Sequence, residues 1–232
     1  MKLDRGRIHR YAMLDSTMTA ASALPVGSVV VADEQTAGQG RHGHLWHSEP
    51  ESGLYVSVVL LPAPLLTLAL GLATETAIFN ATGYGTDLRW PNDVMLGGRK
   101  VAGILVQLTD GKAVAGIGIN VNHASFPPDL APQATSLRLH AGHEFSREEL
   151  LTQLLISIEV YTEEPFIDPE NILLAFTHRS SYAIGRRVTV DLPEGTIAGV
   201  TAGLTADGFL RVRQDDGTDT LVIAGGVRAA GS

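Results

Sequence analysis

A run without a single charge, from Leu54 to Leu72, constrains this chain more than any other feature. About twenty apolar residues can span a bilayer as a helix, so such a run goes either into a membrane or into a protein core. Its two halves differ in character. Leu54 to Leu61 carries the β-branched Val56, Val58 and Val59, whereas the stretch from Leu65 is rich in Leu and Ala, and Pro62 and Pro64 stand between them. Prolines at that point break a spanning helix but suit a strand end and a helix start. The run predicts a buried strand over 53–61 and a buried helix over about 65–81, apolar on nearly all sides. Within the strand, Tyr55 and Ser57 are spaced to share one face.

The rest of the chain alternates in the same way. Asp15-Ser16-Thr17 is placed to cap a helix through Ala23. Ser28 to Glu34 reads as a short buried strand. Asp87 to Trp90 is a short strand closed by Pro91, and Val94 to Leu108 is a hairpin turning at Gly97-Gly98. Ala113 to Val121 forms another strand after the turn Asp110-Gly111, and 122–133 is a proline-containing loop. Ser146 caps an amphipathic helix whose first turn carries Glu148 and Glu149, and a further helix spans about 169–179. After Tyr182 the pattern changes to short strands parted by Pro193-Glu194-Gly195, Asp207-Gly208 and Asp216-Gly217. That is an antiparallel barrel near the lower size limit for independent folding. Two domains are expected, 1–182 and 183–232.

The chemistry concentrates in two stretches. The first is Asp33 to Ser48, D-E-Q-T-A-G-Q-G-R-H-G-H-L-W-H-S, which follows a strand and carries Gly38, Gly40 and Gly43. Glycine lets a ligand approach the main chain. From Gln35 to Ser48 there is no acidic residue, although the whole chain has a formal net charge of −8. Local absence of acid suits an anionic ligand such as a phosphate, and Trp46 offers an apolar face to a flat one. His42, His44 and His47 lie in this loop with no regular element to align them, which disfavours a metal site built from the three. The second stretch is Arg89 to Gln107, R-W-P-N-D-V-M-L-G-G-R-K-V-A-G-I-L-V-Q. Only three lysines stand against fourteen arginines, so Lys100 at the mouth of a buried strand points to a use for the ammonium itself.

Taken together, these stretches resemble the biotin protein ligases. E-Q-T-A-G-Q-G-R-H-G-H-L-W resembles the family's glycine-rich loop, and R-W-P-N-D-V-M-L-G-G-R-K-V-A-G-I-L its K-W-P-N-D segment with a downstream lysine. G-I-G-I-N-V-N is similar to the G-x-G-x-N strand, and Asp15-Ser16-Thr17 to the early D-S-T. The resemblance covers roughly residues 8–230. It implies an α+β fold: a mixed sheet flanked by helices, of the class II synthetase-like biotin/lipoate ligase type, with a small C-terminal SH3-like β-barrel. It implies ATP-dependent conversion of biotin to biotinoyl-5′-AMP, then transfer of biotin to a lysine of a biotin carboxyl carrier domain. Mg²⁺ enters as the counter-ion of ATP, and no tightly bound cofactor is implied. Lys100 and Arg41 would be the catalytic cations, drawing two anions together. Ser16, Thr17, Gln35, Gly38, Ser57 and Gly103 would form the biotin side, with Arg41 and Lys100. Gln39, Trp46, Asn92, Asp93 and Asn120 would lie on the nucleotide side, again with Arg41 and Lys100.

Three positions depart from the family pattern: Gln39 where many relatives carry Arg, His44 where they carry Arg or Asn, and Arg89 in place of the common Lys. Lipoate–protein ligase activity and a non-catalytic, biotin-binding regulator are the alternatives. The acidic net charge argues against a broad nucleic-acid-binding face, and the DST motif arrives too early to leave room for a DNA-binding domain. With no cysteine, thiolate and disulfide chemistry are excluded. The absence of a signal-like N-terminus predicts a cytoplasmic protein without a membrane segment, and assembly into a homodimer stays open.

Overall fold

The structure, a computed structural model, describes residues 3–192 and 195–230, with the side chains of all of these but Arg5 and His42. Pro193 and Glu194 of the expected turn lie outside the described residues. The first part of the chain runs β1 (Ile8–Leu14), α1 (Thr17–Ser22), β2 (Val29–Gln35), β3 (Gly53–Leu60), α2 (Leu66–Thr82), β4 (Asp87–Arg89), β5 (Asp93–Leu96), β6 (Arg99–Thr109) and β7 (Lys112–Asn120). Then follow the helices α3 (Leu137–Ala141), α4 (Arg147–Tyr161) and α5 (Pro169–Arg179). The chain ends in β8 (Ile184–Leu192), β9 (Gly195–Leu204), β10 (Leu210–Gln214), β11 (Asp219–Val222) and β12 (Gly226–Ala229).

Seven strands form one mixed sheet in the order β1-β2-β3-β7-β6-β5-β4. β1 and β2 are parallel and joined through α1; the other neighbours are antiparallel. The tight turns follow from glycine chemistry: Gly97 and Gly98 both have positive φ, as do Asp110 and Gly111, the geometry of two-residue hairpin turns. The uncharged run divides as its composition predicts, into β3 and α2, with no helix among the described residues long and apolar enough to cross a membrane. Pro64 stands two residues before α2, and Leu65, with φ of 56°, caps it.

Every residue of β3 is buried, and strand alternation sends the two sets of side chains to different surroundings. Leu54, Val56, Val58 and Leu60 join the main core with residues of α2, α4 and α5. Val59 instead packs with Met18 and Ala21 of α1 and with Val30 and Val114. The large helices thus cover one face of the sheet, while the other face is left to α1 and to the loop that follows β2.

The last five strands form an antiparallel sheet in the order β11-β10-β9-β8-β12. Its apolar residues, among them Val188, Val190, Leu210 and Val212, are continuous with the main core. Trp90 is 3% exposed and its indole Nε1 donates to the Gly208 carbonyl at 2.8 Å, across this seam. Leu65 and Leu68 lie against Gly208, and Ser180 Oγ donates to the Leu88 carbonyl. A buried carbonyl that loses its donor costs about 1–3 kcal/mol. Trp90→Phe removes that donor while keeping a large ring, so it is expected to lower stability by at least about 1 kcal/mol. Calorimetry should show a melting temperature lower by about 2–4 °C; an unchanged transition would mean the bond does not hold the seam.

Candidate active site

The sheet face turned away from the large helices carries a cleft floored by glycines. Gly103 of β6 pairs with Gly118 of β7, and Gly116 lies two residues before it. A Cβ on Gly118 would run into the Trp46 indole; one on Gly103 would meet Trp46 and Lys100 at 2.8–2.9 Å, and one on Gly116 would meet Met18 at 2.7 Å. These glycines let the Trp46 ring and the Met18 side chain lie directly on the backbone of the sheet. The cleft encloses about 450 Å³, part of it open to solvent.

Polar groups line the α1 side of the cleft. Ser57 Oγ donates to Thr17 Oγ1 at 2.8 Å, and Gln35 Oε1 accepts from both Thr17 N and Thr17 Oγ1. Gln35 Nε2 donates to Ser48 Oγ at 3.1 Å, and Ser48 Oγ donates to the Trp46 carbonyl. Ser16 sits at the N-cap of α1 as expected from its sequence, but its side chain makes no capping bond; its hydroxyl is buried and has no partner. The capping role is therefore corrected: this hydroxyl is left for something else.

The charged side is built on Asp93. Lys100 Nζ lies 2.5 Å from one of its carboxylate oxygens and Arg89 Nη2 2.7 Å from the other. Burial alone would raise this carboxyl; Lys100 and Arg89 outweigh burial and hold it below its ordinary value. The backbone of Lys100 is fixed as well, by bonds from its N–H to the Gln133 carbonyl and from Thr135 N–H to its own carbonyl. Its ammonium is 5.1 Å from the centre of the Trp46 ring, within cation–π range. Arg41, in a single turn of 3₁₀-helix over Arg41–Gly43, donates to Asn92 Oδ1 at 3.0 Å and reaches the Gly225 carbonyl at 3.5 Å. Burial lowers its pKa, with Asp93 acting in the opposite sense.

The glycine-rich loop folds back on itself. Trp46 N–H donates to the Gly38 carbonyl, Gln39 bridges to Leu45, and Gly40 N–H donates to the His44 carbonyl. Gly38 is buried, and a Cβ there would meet Ser48 Oγ and the Trp46 carbonyl at 2.9 Å. Gln39 contacts Thr19 and Gln107 at the rim.

Thr17, Gln35, Gln39, Arg41, Trp46, Asn92, Lys100 and Gly103 all line the one cleft, with Gly38 and Ser57 beside it; Ser16 precedes Thr17 at the N-cap of α1 and is not in the lining. Asn120 does not line it: it is buried at the end of β7, donating to the Thr135 carbonyl. Asp93 reaches the cleft only through Lys100. His44 is exposed, whereas His47 turns toward His123 and Phe126, with ring centroids 5.7 and 6.2 Å away. Sequence reasoning passed over Met18, Ser48, Gly116, Gly118 and His123. The G-I-G-I-N spacing held the signal for the two glycines, since strand alternation puts both on one face. His123 in a loop carried none.

Residues 11–123 match the biotin/lipoate A/B protein ligase family, and residues 183–227 match the biotin protein ligase C-terminal domain. The biotin–[acetyl-CoA-carboxylase] ligase of Mycobacterium tuberculosis is 34% identical over 91% of this chain and 82% of its own. The bifunctional ligase/repressor BirA of Bacillus subtilis is 32% identical over 91% of this chain and 71% of its own. Among solved structures, the biotin protein ligase of Aquifex aeolicus in complex with biotin and ATP aligns with a TM-score of 0.86 at 30% identity, covering 97% of this chain and 99% of that one.

The glycine floor makes a direct prediction. Gly118→Ala is expected to lift the Trp46 indole off the sheet, at a cost of about 1–3 kcal/mol for overpacking. Tryptophan fluorescence should shift to the red as the ring gains water. An unchanged spectrum would mean that the ring is not seated on Gly118.

Proposed function

The chain belongs to the biotin protein ligase family, and on that premise we propose that it activates biotin with ATP and joins it to a lysine of a biotin carboxyl carrier domain. One observation carries the reading: a single cleft has neutral hydrogen-bonding groups at one end and two cations, Lys100 and Arg41, at the other. Biotin has a matching polarity, with a neutral ureido ring at one end and a carboxylate at the other. The ureido carbonyl needs donors and its N–H groups need acceptors. Ser16, whose hydroxyl is free, Thr17, Gln35 and Ser57 offer both. Gly38 and Gly103 line the path between the two ends, with no side chain of their own to fill it.

In the first half-reaction a carboxylate oxygen of biotin attacks the α-phosphorus of ATP. The bond from that phosphorus to its bridging oxygen breaks and pyrophosphate leaves. Both reactants are anions, so fixed positive charge between them offsets their repulsion and stabilises the developing charge. Lys100, held by Asp93, is the compact charge; Arg41 is the forked donor to phosphate or carboxylate. Asp93 thus acts through Lys100, and Gln39, Trp46 and Asn92 form the nucleotide side, while Asn120 only braces the Thr135 carbonyl behind it. Among the described residues no carboxylate lines the cleft, so Mg²⁺ would come with the phosphates of ATP and offset their charge there. In the second half-reaction an uncharged lysine amine attacks the acyl carbon, the bond to the phosphate oxygen breaks, AMP leaves, and the amine gives up a proton to solvent. The reaction's demand for ATP points to the cytoplasm.

Biotin-dependent exchange of pyrophosphate into ATP, followed by labelling of a carrier domain, tests the proposal. Binding of biotin without exchange would support a regulator instead, and exchange driven by lipoate alone would support the lipoate ligases. Lys100→Ala is expected to leave the fold intact and lower exchange about a hundredfold or more, the usual effect of losing a group that stabilises developing charge. Exchange near the wild-type rate would remove Lys100 from the mechanism.

A further inference from the structure

His47, Glu49 and His123 meet outside the cleft, where the stem of the glycine-rich loop approaches the chain beyond β7. One ring nitrogen of each histidine and a carboxylate oxygen of Glu49 lie within 4.8 Å of one another. Two imidazoles and one carboxylate are a ligand set for a divalent transition ion such as Zn²⁺, not for the hard cation Mg²⁺.

A second observation comes from proton accounting. Tyr55 Oη has one proton, and it is donated to the Glu49 carbonyl at 2.9 Å. The contact of 3.3 Å between Tyr55 Oη and His123 Nε2 therefore has the imidazole as donor. This network assigns the proton of the neutral ring to Nε2 and leaves a lone pair on Nδ1. Nδ1 is buried and has no hydrogen-bond partner, in a residue that is 0% exposed. A histidine that donates from one nitrogen to a fixed oxygen and keeps the other bare is arranged as metal-ligating histidines are. His123 is fixed further by stacking on Phe126, with centroids 5.1 Å apart, and by Ser136 Oγ donating to its carbonyl.

We propose that His47, Glu49 and His123 form a binding site for a Zn²⁺-class ion that ties the stem of the glycine-rich loop to the segment after β7. Ligand atoms at bonding distance around tetrahedral zinc stand roughly 3.3 Å apart, so separations of up to 4.8 Å must contract by no more than about 1.5 Å. His123 is the rigid member. His47 is half-buried and Glu49 exposed, so these two side chains are free to make the movement. Water would complete the coordination. Because His47 adjoins Trp46, the ion would hold the ring that covers the cleft without entering it. The proposal does not depend on the ligase reading.

The test uses the full chain, stripped with a chelator and titrated with Zn²⁺ against a chromophoric competitor, and with Co²⁺ to read its visible absorption bands. One ion per chain is expected, with bands of a four- or five-coordinate site, a rise in melting temperature on Zn²⁺ addition, and no displacement by millimolar Mg²⁺. His47→Ala and Glu49→Gln, at accessible positions, should each weaken binding at least tenfold. His44→Ala, in the same loop but outside the cluster, should bind as the parent does. Zn²⁺ binding that is absent from the parent chain, or that His47→Ala and Glu49→Gln leave unchanged, or that His44→Ala weakens equally, would overturn the proposal.

Discussion

A carboxylate as largely withdrawn from water as Asp93, whose side chain is 14% exposed, cannot be left alone, because removing an ion from water costs several kcal/mol unless close counter-charges and hydrogen bonds offset it. Here two cations share it, Lys100 from β6 and Arg89 from the end of β4. That demand explains the local architecture. β4, β5 and β6 must be adjacent for the three charges to meet, and the pairing of β5 with β6 shifts register just past Asp93. The arrangement leaves the lysine ammonium fixed at the edge of a cleft rather than loose in solvent, which is what charge stabilisation without reorganisation requires. It also gives Arg89, a departure from the family pattern, a structural reason: a guanidinium reaches one carboxylate oxygen with two of its nitrogens.

The second constraint is close approach. Gly103, Gly116 and Gly118 lower the floor of the sheet so that Trp46 and Met18 can lie on it. The loop carrying Trp46 must then return to the sheet, and it does so through main-chain bonds at Gly38 and Gly40. The glycines of the floor and those of the loop answer one another: one set makes the seat, the other lets the chain bend back to occupy it.

Much of this was legible in the sequence. The break in the uncharged run at Pro62 and Pro64 marked β3 and α2, and Gly97-Gly98 and Asp110-Gly111 marked the two hairpin turns. Ser146 caps α4, its hydroxyl accepting from Glu149 N–H, as its position suggested. β1 was not foreseen, because an edge strand that is mostly exposed lacks the alternation that betrays a half-buried one. Helix α3 is too short for periodicity to register. At the site, the motifs named most lining residues, but they could not say that Asp93 faces inward to Lys100, nor that His47 leaves its loop neighbours for His123. Both depend on which distant strands become neighbours, information held by the fold and not by local spacing.

The polar side of the cleft has a direction as well as a composition. Hydroxyl and amide protons pass one way, from Ser57 to Thr17, from Thr17 to Gln35, from Gln35 to Ser48 and from Ser48 to the Trp46 carbonyl. Bonds chained in this manner polarise one another. The chain begins on the sheet floor and ends on the main chain of the loop that covers the cleft. After these bonds are made there remain one amide proton of Gln35, two lone pairs on Ser57, one each on Thr17 and Ser48, and the whole hydroxyl of Ser16. A ligand in the cleft with both donors and a carbonyl can pair with Thr17 and Gln35, which line it, whereas an apolar one would leave these groups unpaired at a cost of about 1–3 kcal/mol. The same hydrogen-bond chain connects these unpaired groups to the main chain at Trp46.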